Sequence, residues 1–136
     1  MPSLAEVTLR ALPYTDQVAS DLAKLPFDAP HAWHDWLTRE IKAGSAQLCA
    51  IERDGQQLGL FAYRIDSQKQ KELRVLGAYA DHSSDLAAKL FDASSSLAKQ
   101  LQCVSVCFST LRPGLVALAL DHGYHVAEVF LIRPVP

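Results

Sequence analysis

The stretch between Glu72 and Ser109 constrains the fold more than any other part of the chain, because it predicts a strand, a long helix and a second strand. Apolar residues dominate residues 72–80 and 103–109, whereas leucines recur at helical spacing between residues 85 and 100. A strand, helix and strand that share one sheet are connected by a right-handed crossover, which leaves the two strands parallel. The sequence therefore predicts a parallel strand pair within the sheet.

A tight hairpin is predicted before this crossover. Residues 47–53 and 57–66 are two strand-like runs that flank the dipeptide Asp54-Gly55. An Asp-Gly pair readily adopts the positive φ angles that a two-residue hairpin turn requires. These two strands and the strand at residues 72–80 should therefore be antiparallel neighbours.

The remaining elements complete a mixed α/β (α+β) fold. Two more strands are predicted at residues 6–12 and 125–133, and three more helices at residues 16–25, 32–43 and 113–122. Gly123 follows the last helix, where a glycine commonly ends a helix. The order β-α-α-β-β-β-α-β-α-β predicts a mixed central sheet of about six strands with four helices on both faces. At this length we expect one domain over residues 1–136.

Composition and charge exclude several classes of function. Apolar residues make up 49% and charged residues 21% of the chain, a balance typical of globular proteins. The net charge of −2 comes with no block of Lys and Arg, so we expect no nucleic-acid partner. No apolar run reaches the length of about 18 residues that a membrane helix needs. The first residues lack the pattern of a secretory leader, so we expect a cytoplasmic protein or part of a particle assembled inside the cell. His31 and His34 are three residues apart, so on a helix both could contact one metal ion, but no third ligand lies at a recognisable spacing and no metal is expected.

One short motif resembles a known family. The run ALALDHGY at residues 117–124 resembles the helix-to-strand corner of the GNAT superfamily of N-acetyltransferases. The order of predicted elements is similar to that superfamily over nearly the whole chain, and GLFAYRID after the Asp-Gly turn resembles its third strand. The resemblance implies a GNAT-like fold. In active members it also implies acetyl-CoA as acyl donor, held where the fourth and fifth strands separate.

The loop before the long helix departs from the superfamily's pattern. The resemblance implies that this loop offers backbone N–H groups, through its glycines, to the pyrophosphate of acetyl-CoA. The corresponding residues 79–86 contain no Gly, Arg or Lys, and they include Asp81 and Asp85. Carboxylates at a helix start satisfy its positive end, each by about 0.3–1 kcal/mol, and they would repel a pyrophosphate. The sequence therefore predicts a degenerate member that binds no acetyl-CoA.

The corner helix departs from the pattern as well. Many members of the superfamily carry a Tyr there as the acid toward the leaving thiolate, and this position falls on Ala119. A frequent Asn at the head of the helix falls on Arg112. Because a methyl group donates no proton, we expect that acyl transfer has been lost. The chain would then be a structural or interaction subunit of a larger assembly, of which a phage particle is one example.

The alternative is an active acyl-CoA-dependent N-acetyltransferase acting on a small-molecule or protein amine. Gly77 and Ala78 would then position the thioester, and Glu72, Asp81 or His82 would be the base. The residues that would contact CoA are Val75, Gly77, Ser83, Ser84 and Leu86. Gly77 would form a bulge that separates the strands, although close packing also explains a glycine there. A third possibility is a different ligand in the same cleft.

The aromatic residues Phe27, Trp33 and Trp36 are a candidate interaction surface, because Trp is enriched where proteins bind one another. Packing of at least one of the two tryptophans into the core is the alternative. A protein partner or a homo-oligomer is expected, and the edge of the final strand offers one place for a neighbour to pair.

Overall fold

The structure, a computed structural model, describes residues 6–23, 32–80, 84–110, 113–129 and 131–135, with the backbone alone at 32–34, 79–80 and 84–85. Its strands are β1 (Thr8–Ala11), β2 (Gln47–Arg53), β3 (Gln56–Asp66), β4 (Glu72–Ala80) and β5 (Ser105–Cys107). Its helices are α1 (Asp16–Leu22), α2 (Ala32–Ala43), α3 (Ser84–Gln100) and α4 (Pro113–Asp121). The element order confirms the predicted order as far as α4.

The strands form one sheet in the order β1-β2-β3-β4-β5. The first four are antiparallel to their neighbours, and β5 pairs with β4 in parallel. Both the hairpin and the crossover predictions are therefore confirmed. In the turn between β2 and β3, Asp54 and Gly55 have φ angles of 54° and 75°. Two positive φ angles are the signature of the turn whose twist matches an antiparallel pair.

The sheet is covered on both faces, as predicted. Successive side chains of a strand point to opposite faces, so neighbouring residues join different halves of the core. Phe61 packs on the face covered by α3, in a cluster that includes Leu86 and Ala98 from that helix. Leu60 packs on the other face, in a cluster with Val18 from α1 and Leu37 from α2. One face of the sheet therefore packs against α3, and the other packs against α1 and α2.

Strand β5 is shorter than predicted, because the residues before it end α3. Gln102 has a φ of 62°, and the N–H of Cys103 donates to the carbonyl of Ala98 at 2.8 Å. This pattern is a Schellman motif with a glutamine in the usual glycine position. Gln102 and Cys103 therefore terminate the helix, and the strand begins only at Ser105.

Two helix ends were predicted with different success. Helix α4 ends as expected, with Gly123 at a φ of 89° and the N–H of Tyr124 donating to the carbonyl of Ala119. Helix α1 was expected to reach residue 25 and instead ends at Leu22, while residues 24 and 25 lie outside the described residues. In the described part of the chain, no helix is long and apolar enough to cross a membrane.

The prediction of a sixth strand at residues 125–133 is wrong for the described residues. Residues 124–129 and 131–135 form no ladder with any described strand, and the sheet has five strands there instead of about six. The prediction rested on the apolar and β-branched residues of this stretch. Such residues favour an extended backbone, but they do not guarantee a neighbouring edge long enough to pair with.

Candidate functional site

The candidate site lies where β4 and β5 separate. The two strands pair over only three positions, from Glu72 opposite Ser105 to Arg74 opposite Cys107. Strand β4 then continues to Ala80, whereas β5 ends at Cys107. Beyond Arg74 the two strands share no further ladder pair, and we call the place where they part the β4–β5 cleft.

A β-bulge in β4 borders this cleft. Ala62 of β3 lies opposite Gly77, but the next residue, Tyr63, lies opposite Val75, so Leu76 is an extra residue in β4. Val75 packs on the α3 side of the sheet and Leu76 on the α1–α2 side. A bulge adds local twist and turns a strand away from its neighbour. The bulge expected at Gly77 is therefore present one residue earlier, directly before this glycine.

An aromatic cluster lies beside the cleft, at the end of β5. Phe108 is the first residue after β5, and its ring centroid lies 5.9 Å from that of Phe91 on α3. Tyr124 packs against both, with centroid distances of 5.1 Å to Phe91 and 5.4 Å to Phe108. His122 lies 5.6 Å from Phe91. The cluster therefore brings α3, the end of β5 and the end of α4 into contact.

Burial raises the pKa of the Tyr124 phenol, and the neighbouring Cys107 raises it further. The hydroxyl therefore stays protonated throughout the physiological pH range. Tyr124 belongs to the family-like corner in the sequence, but the aromatic cluster was not predicted. The three rings come from residues 91, 108 and 124, and no local spacing connects them.

The predicted thioester residues and the predicted base Glu72 lie apart. Gly77 and Ala78 follow the bulge at the cleft, whereas Glu72 begins β4, about 16 Å away along the strand. Glu72 instead lines a polar cavity of about 310 Å³ near the β3–β4 turn, together with the ion pair between Arg74 and Asp66. A proton transfer needs hydrogen-bond distance or one bridging water. The structure thus does not bring Glu72 to Gly77.

The other predicted cofactor residues belong to the start of α3. Asp81, His82 and Ser83 lie outside the described residues, and Ser84 is described by its backbone as the first residue of α3. Leu86 is buried in the core beneath the sheet. Its side chain is therefore a packing residue, and only its backbone N–H is available to a ligand.

Ala119, at the position of the family's acid, is 5% exposed within α4. Its small side chain lets the helix lie against the rest of the molecule, and it offers no group that exchanges a proton. Arg112 and the helix head lie outside the described residues.

Of the predicted interaction residues, Trp36 is half-buried and packs against the core on the α1–α2 side. This placement agrees with the core alternative for one of the two tryptophans. Phe27 and the side chain of Trp33 lie outside what the structure describes. Among the described residues, no group of three His, Cys, Asp or Glu side chains could hold a metal ion.

Solved structures with the same architecture are numerous. A ribosomal-protein-alanine N-acetyltransferase from Brucella melitensis superposes with a TM-score of 0.65 at 15% identity, covering 93% of this chain and 98% of that chain. A "predicted acetyltransferase" from Clostridium acetobutylicum, solved with acetyl-CoA, gives 0.64 at 9% identity over 94% and 96%. AAC(6')-Iy, in complex with the bisubstrate analogue CoA-S-monomethyl-acetylneamine, gives 0.63 at 14% identity over 97% and 99%.

The chain has the GNAT fold. The three similarities cover more than nine-tenths of each chain, which confirms the fold that the corner motif predicted. Neither the protein-family models nor the curated proteins include a match. At 9–15% identity the likeness concerns the GNAT fold alone, because one fold supports many functions.

Proposed function

We propose that this chain is a GNAT-fold module that acts through its surface, as an interaction subunit of a larger assembly, and not by acyl transfer. The observation that carries the proposal is the exposed C-terminal stretch. Five large apolar residues there are 64–91% exposed: Val126, Val129, Leu131, Ile132 and Val135. A run of exposed apolar residues of this size is typical of an interaction site rather than of free surface.

The chemistry at the cleft supports the loss of transfer. Ala119 supplies no hydroxyl where the fold family often has a proton donor. The loop before α3 contains no glycine, and its sequence includes Asp81 and Asp85. Like charges close to each other repel by about 1 kcal/mol even in water, so two carboxylates weaken the binding of a pyrophosphate.

The residues at the two ends of the β4–β5 cleft differ in how well they suit acetyl-CoA. The bulge at Leu76 and the early end of the β4–β5 ladder lie beside Val75, Gly77 and Ala78, where an acyl-pantetheine chain would bind in an active enzyme. At the phosphate end, the residue types of the loop do not suit the ligand, since no glycine opens the backbone and no cation neutralises the charge. The loop before α3 therefore does not fit the phosphates of acetyl-CoA.

Titration calorimetry with acetyl-CoA tests this proposal directly. We expect no binding at micromolar concentrations, and no thiol release when acetyl-CoA is incubated with a panel of small amines and basic peptides. Micromolar binding, or thiol release that depends on an added amine, would overturn it. Desulfo-CoA is a suitable control ligand, since it keeps the phosphates but cannot react.

The second candidate is an acyl-CoA-dependent N-acetyltransferase. Two observations favour it, namely the bulge beside Gly77 and the separation of β4 from β5. Two similar structures were solved with acetyl-CoA or a CoA analogue. In this case Gly77 and Ala78 would position the thioester, and the N–H groups of residues 83, 84 and 86 would hold the phosphates. His82 or Asp81 would serve as the base, because Glu72 is too distant.

The two candidates differ in one measurable property. An active enzyme would release CoA thiol in proportion to an amine substrate, and substitution of Gly77 by Val would abolish that release by filling the cleft. A surface module would release none, with or without the substitution.

A further inference from the structure

The polar cavity of about 310 Å³ at the β3–β4 turn, which we call the turn cavity, has no part in the function proposed above. The ends of β3 and β4 and the turn between them form its walls. Five of its lining residues are charged: Arg64, Asp66, Lys69, Glu72 and Arg74. Ligand pockets in proteins measure roughly 300–1,000 Å³, so the turn cavity has room for one small molecule.

The four charged strand residues of the turn cavity share one face of the sheet. Ile65 and Leu73 alternate with them along the strands and pack on the α3 side. Because successive side chains of a strand point to opposite faces, the charged residues point away from α3. The side chains of Arg64, Asp66 and Arg74 are 37%, 29% and 31% exposed. They are therefore partly shielded from water, which strengthens their interaction with a charged ligand.

Charges of the same sign lie directly opposite each other in this part of the sheet. Arg64 of β3 pairs with Arg74 of β4, and Asp66 pairs with Glu72. Like charges at directly opposite positions destabilise an antiparallel strand pair. The register thus places two guanidinium groups together, next to two carboxylates.

Asp66 compensates for only one of the two guanidinium charges. Its Oδ1 atom lies 2.9 Å from Nε of Arg64, and its Oδ2 atom lies 3.0 Å from Nε of Arg74. The Nε atom of Arg64 is buried and makes no well-aligned hydrogen bond. The hydrogen bond to Asp66 is the main cause that raises the pKa of Arg74, and the charge of Glu128 has the smallest effect. One positive charge of the arginine pair therefore remains uncompensated.

Glu72 supplies an uncompensated negative charge beside this pair. Within the described part of the chain, Glu72 takes part in no ion pair. Residues two apart on a strand lie about 6.6 Å apart on the same face, so Glu72 is a direct neighbour of Arg74. The turn cavity thus presents one positive and one negative charge side by side.

We propose that the turn cavity binds a free α-amino acid. The carboxylate of the amino acid would accept hydrogen bonds from the guanidinium groups of Arg64 and Arg74, a geometry that guanidinium groups favour. Its ammonium group would donate to the carboxylate of Glu72. An α-amino acid carries both charges on one carbon atom, which matches two neighbouring positions on one strand face.

Small molecules with charges of one sign fit this site less well. A dicarboxylate or a phosphate would bring negative charge close to Glu72, and a diamine would bring positive charge close to the two arginines. Each would pay for one attraction with one repulsion. Only a molecule with both signs is attracted at both places.

Lys69 favours an acidic side chain on the bound amino acid. It belongs to the turn and lines the same cavity as the arginine pair and Glu72. The carboxylate and the ammonium group of the ligand already match the charges on the strands, so Lys69 is left to face the ligand's side chain. We therefore expect glutamate to bind more tightly than lysine.

The turn cavity is separate from the β4–β5 cleft. Glu72 lies about 16 Å from Gly77 along β4, so the amino acid would be bound there without contact to the cleft. The inference goes beyond the surface role proposed above and does not depend on it. Micromolar binding of acetyl-CoA would overturn that role and leave the amino-acid site untouched.

Titration calorimetry of the full chain with L-glutamate tests the proposal. We expect a dissociation constant of about 1 mM or lower. Glutarate, which is glutamate without the amine, should bind at least tenfold more weakly, because Glu72 then repels the ligand and gains no hydrogen bond. L-Lysine should also bind at least tenfold more weakly than L-glutamate.

Glu72→Gln separates recognition of the ligand from a merely structural role of this residue. The variant should bind L-glutamate at least tenfold more weakly and glutarate no more weakly than the wild type, so the preference for the amine disappears. A structural role would lower both affinities together. Glu52→Gln is the matched control, since Glu52 pairs with Arg10 outside the cavity, and it should leave both affinities unchanged.

Three results would overturn the proposal. The first is no binding of L-glutamate to the wild type at about 10 mM. The second is glutarate that binds as tightly as glutamate, which would make the turn cavity a simple anion site. The third is an equal loss of glutamate binding in the Glu72→Gln and Glu52→Gln variants, which would place the ligand elsewhere.

Discussion

The phenol ring of Tyr124 lies 5.1 Å from the ring of Phe91, measured between centroids, and thereby ties the residue after α4 to the middle of α3. The two rings are tilted by 48°. Phe108 completes the contact from the end of β5 at 5.4 Å, in an edge-on arrangement with Tyr124. Aromatic pairs in such geometries contribute about 0.5–1.5 kcal/mol beyond the area they bury. This cluster therefore fixes the corner at Tyr124 from which the last residues of the chain depart.

Replacing Tyr124 by Ala should lower the free energy of unfolding by about 2–4 kcal/mol, because it removes a half-buried ring from two aromatic contacts. Tyr124→Phe keeps the ring and should change the free energy by less than about 1 kcal/mol. Urea unfolding followed by circular dichroism measures both. Equal losses for the two variants would show that the hydroxyl, and not the ring packing, holds the corner.

Gln102→Gly should stabilise the protein by about 0.5–1 kcal/mol. Gln102 has a φ of 62°, a left-handed conformation that glycine adopts without the steric cost of a Cβ atom. Gln102→Ala is the matched control, because it shortens the side chain but keeps the Cβ atom, and it should give no gain. The urea unfolding midpoints of the three proteins measure this change in stability. A lower midpoint for the glycine variant would contradict the prediction.

Stability should fall in alkaline solution because of Cys49. Burial raises the pKa of this thiol from 9.0 to about 11. Between these values the unfolded chain loses its proton while the folded chain keeps it, so ionisation favours unfolding as the pH rises. The unfolding free energy lost through ionisation of Cys49 should approach about 2–3 kcal/mol, because each unit of pKa shift corresponds to about 1.4 kcal/mol.

Cys49→Ala isolates this contribution. The difference in unfolding free energy between wild type and variant should shrink steadily from pH 8.5 to pH 11, because the variant has no thiol to ionise. A difference that stays constant over this range would mean that Cys49 titrates at its ordinary value in the folded protein.

We expect Asp81 and Asp85 to weaken the binding of acetyl-CoA. Neutralising both, as Asp81→Asn and Asp85→Asn, should raise the affinity at least tenfold, since removing each charge relieves about 1 kcal/mol of repulsion. Asp92→Asn, an exposed position further along α3, is the control and should have no effect. Calorimetry with acetyl-CoA gives the affinities. Unchanged binding in the double variant would point to the absent loop glycines instead of the charges.

Local signals predicted most of this fold. The Asp54-Gly55 dipeptide predicted the hairpin, and both residues have the required positive φ. The leucine spacing of α3 predicted the crossover, and Gly123 predicted the end of α4. In each case a few neighbouring residues determine the conformation, because turn and capping geometry depends on local sterics and hydrogen bonds.

The remaining features depend on contacts between distant residues. The late start of β5 escaped prediction because Gln102 adopts a conformation usually left to glycine, and the strand begins only at Ser105. The bulge at Leu76 was expected only because a glycine follows it. The sixth strand shows the same limit, since residues 125–133 have a strand-like composition but their described part forms no ladder. Residues 81–83, which the resemblance places at the phosphates of acetyl-CoA, lie outside the described residues.

The three-pair ladder between β4 and β5 also determines how the molecule should come apart. Four antiparallel strands are joined by longer ladders, so they form the most persistent unit of the protein. Residues 104–129 are attached to the rest of the molecule mainly through this short ladder and through the contacts of Phe108 and Tyr124 with Phe91 of α3. Under mild denaturant this portion should detach first, as a separate cooperative unit, while the β1–β4 meander stays intact.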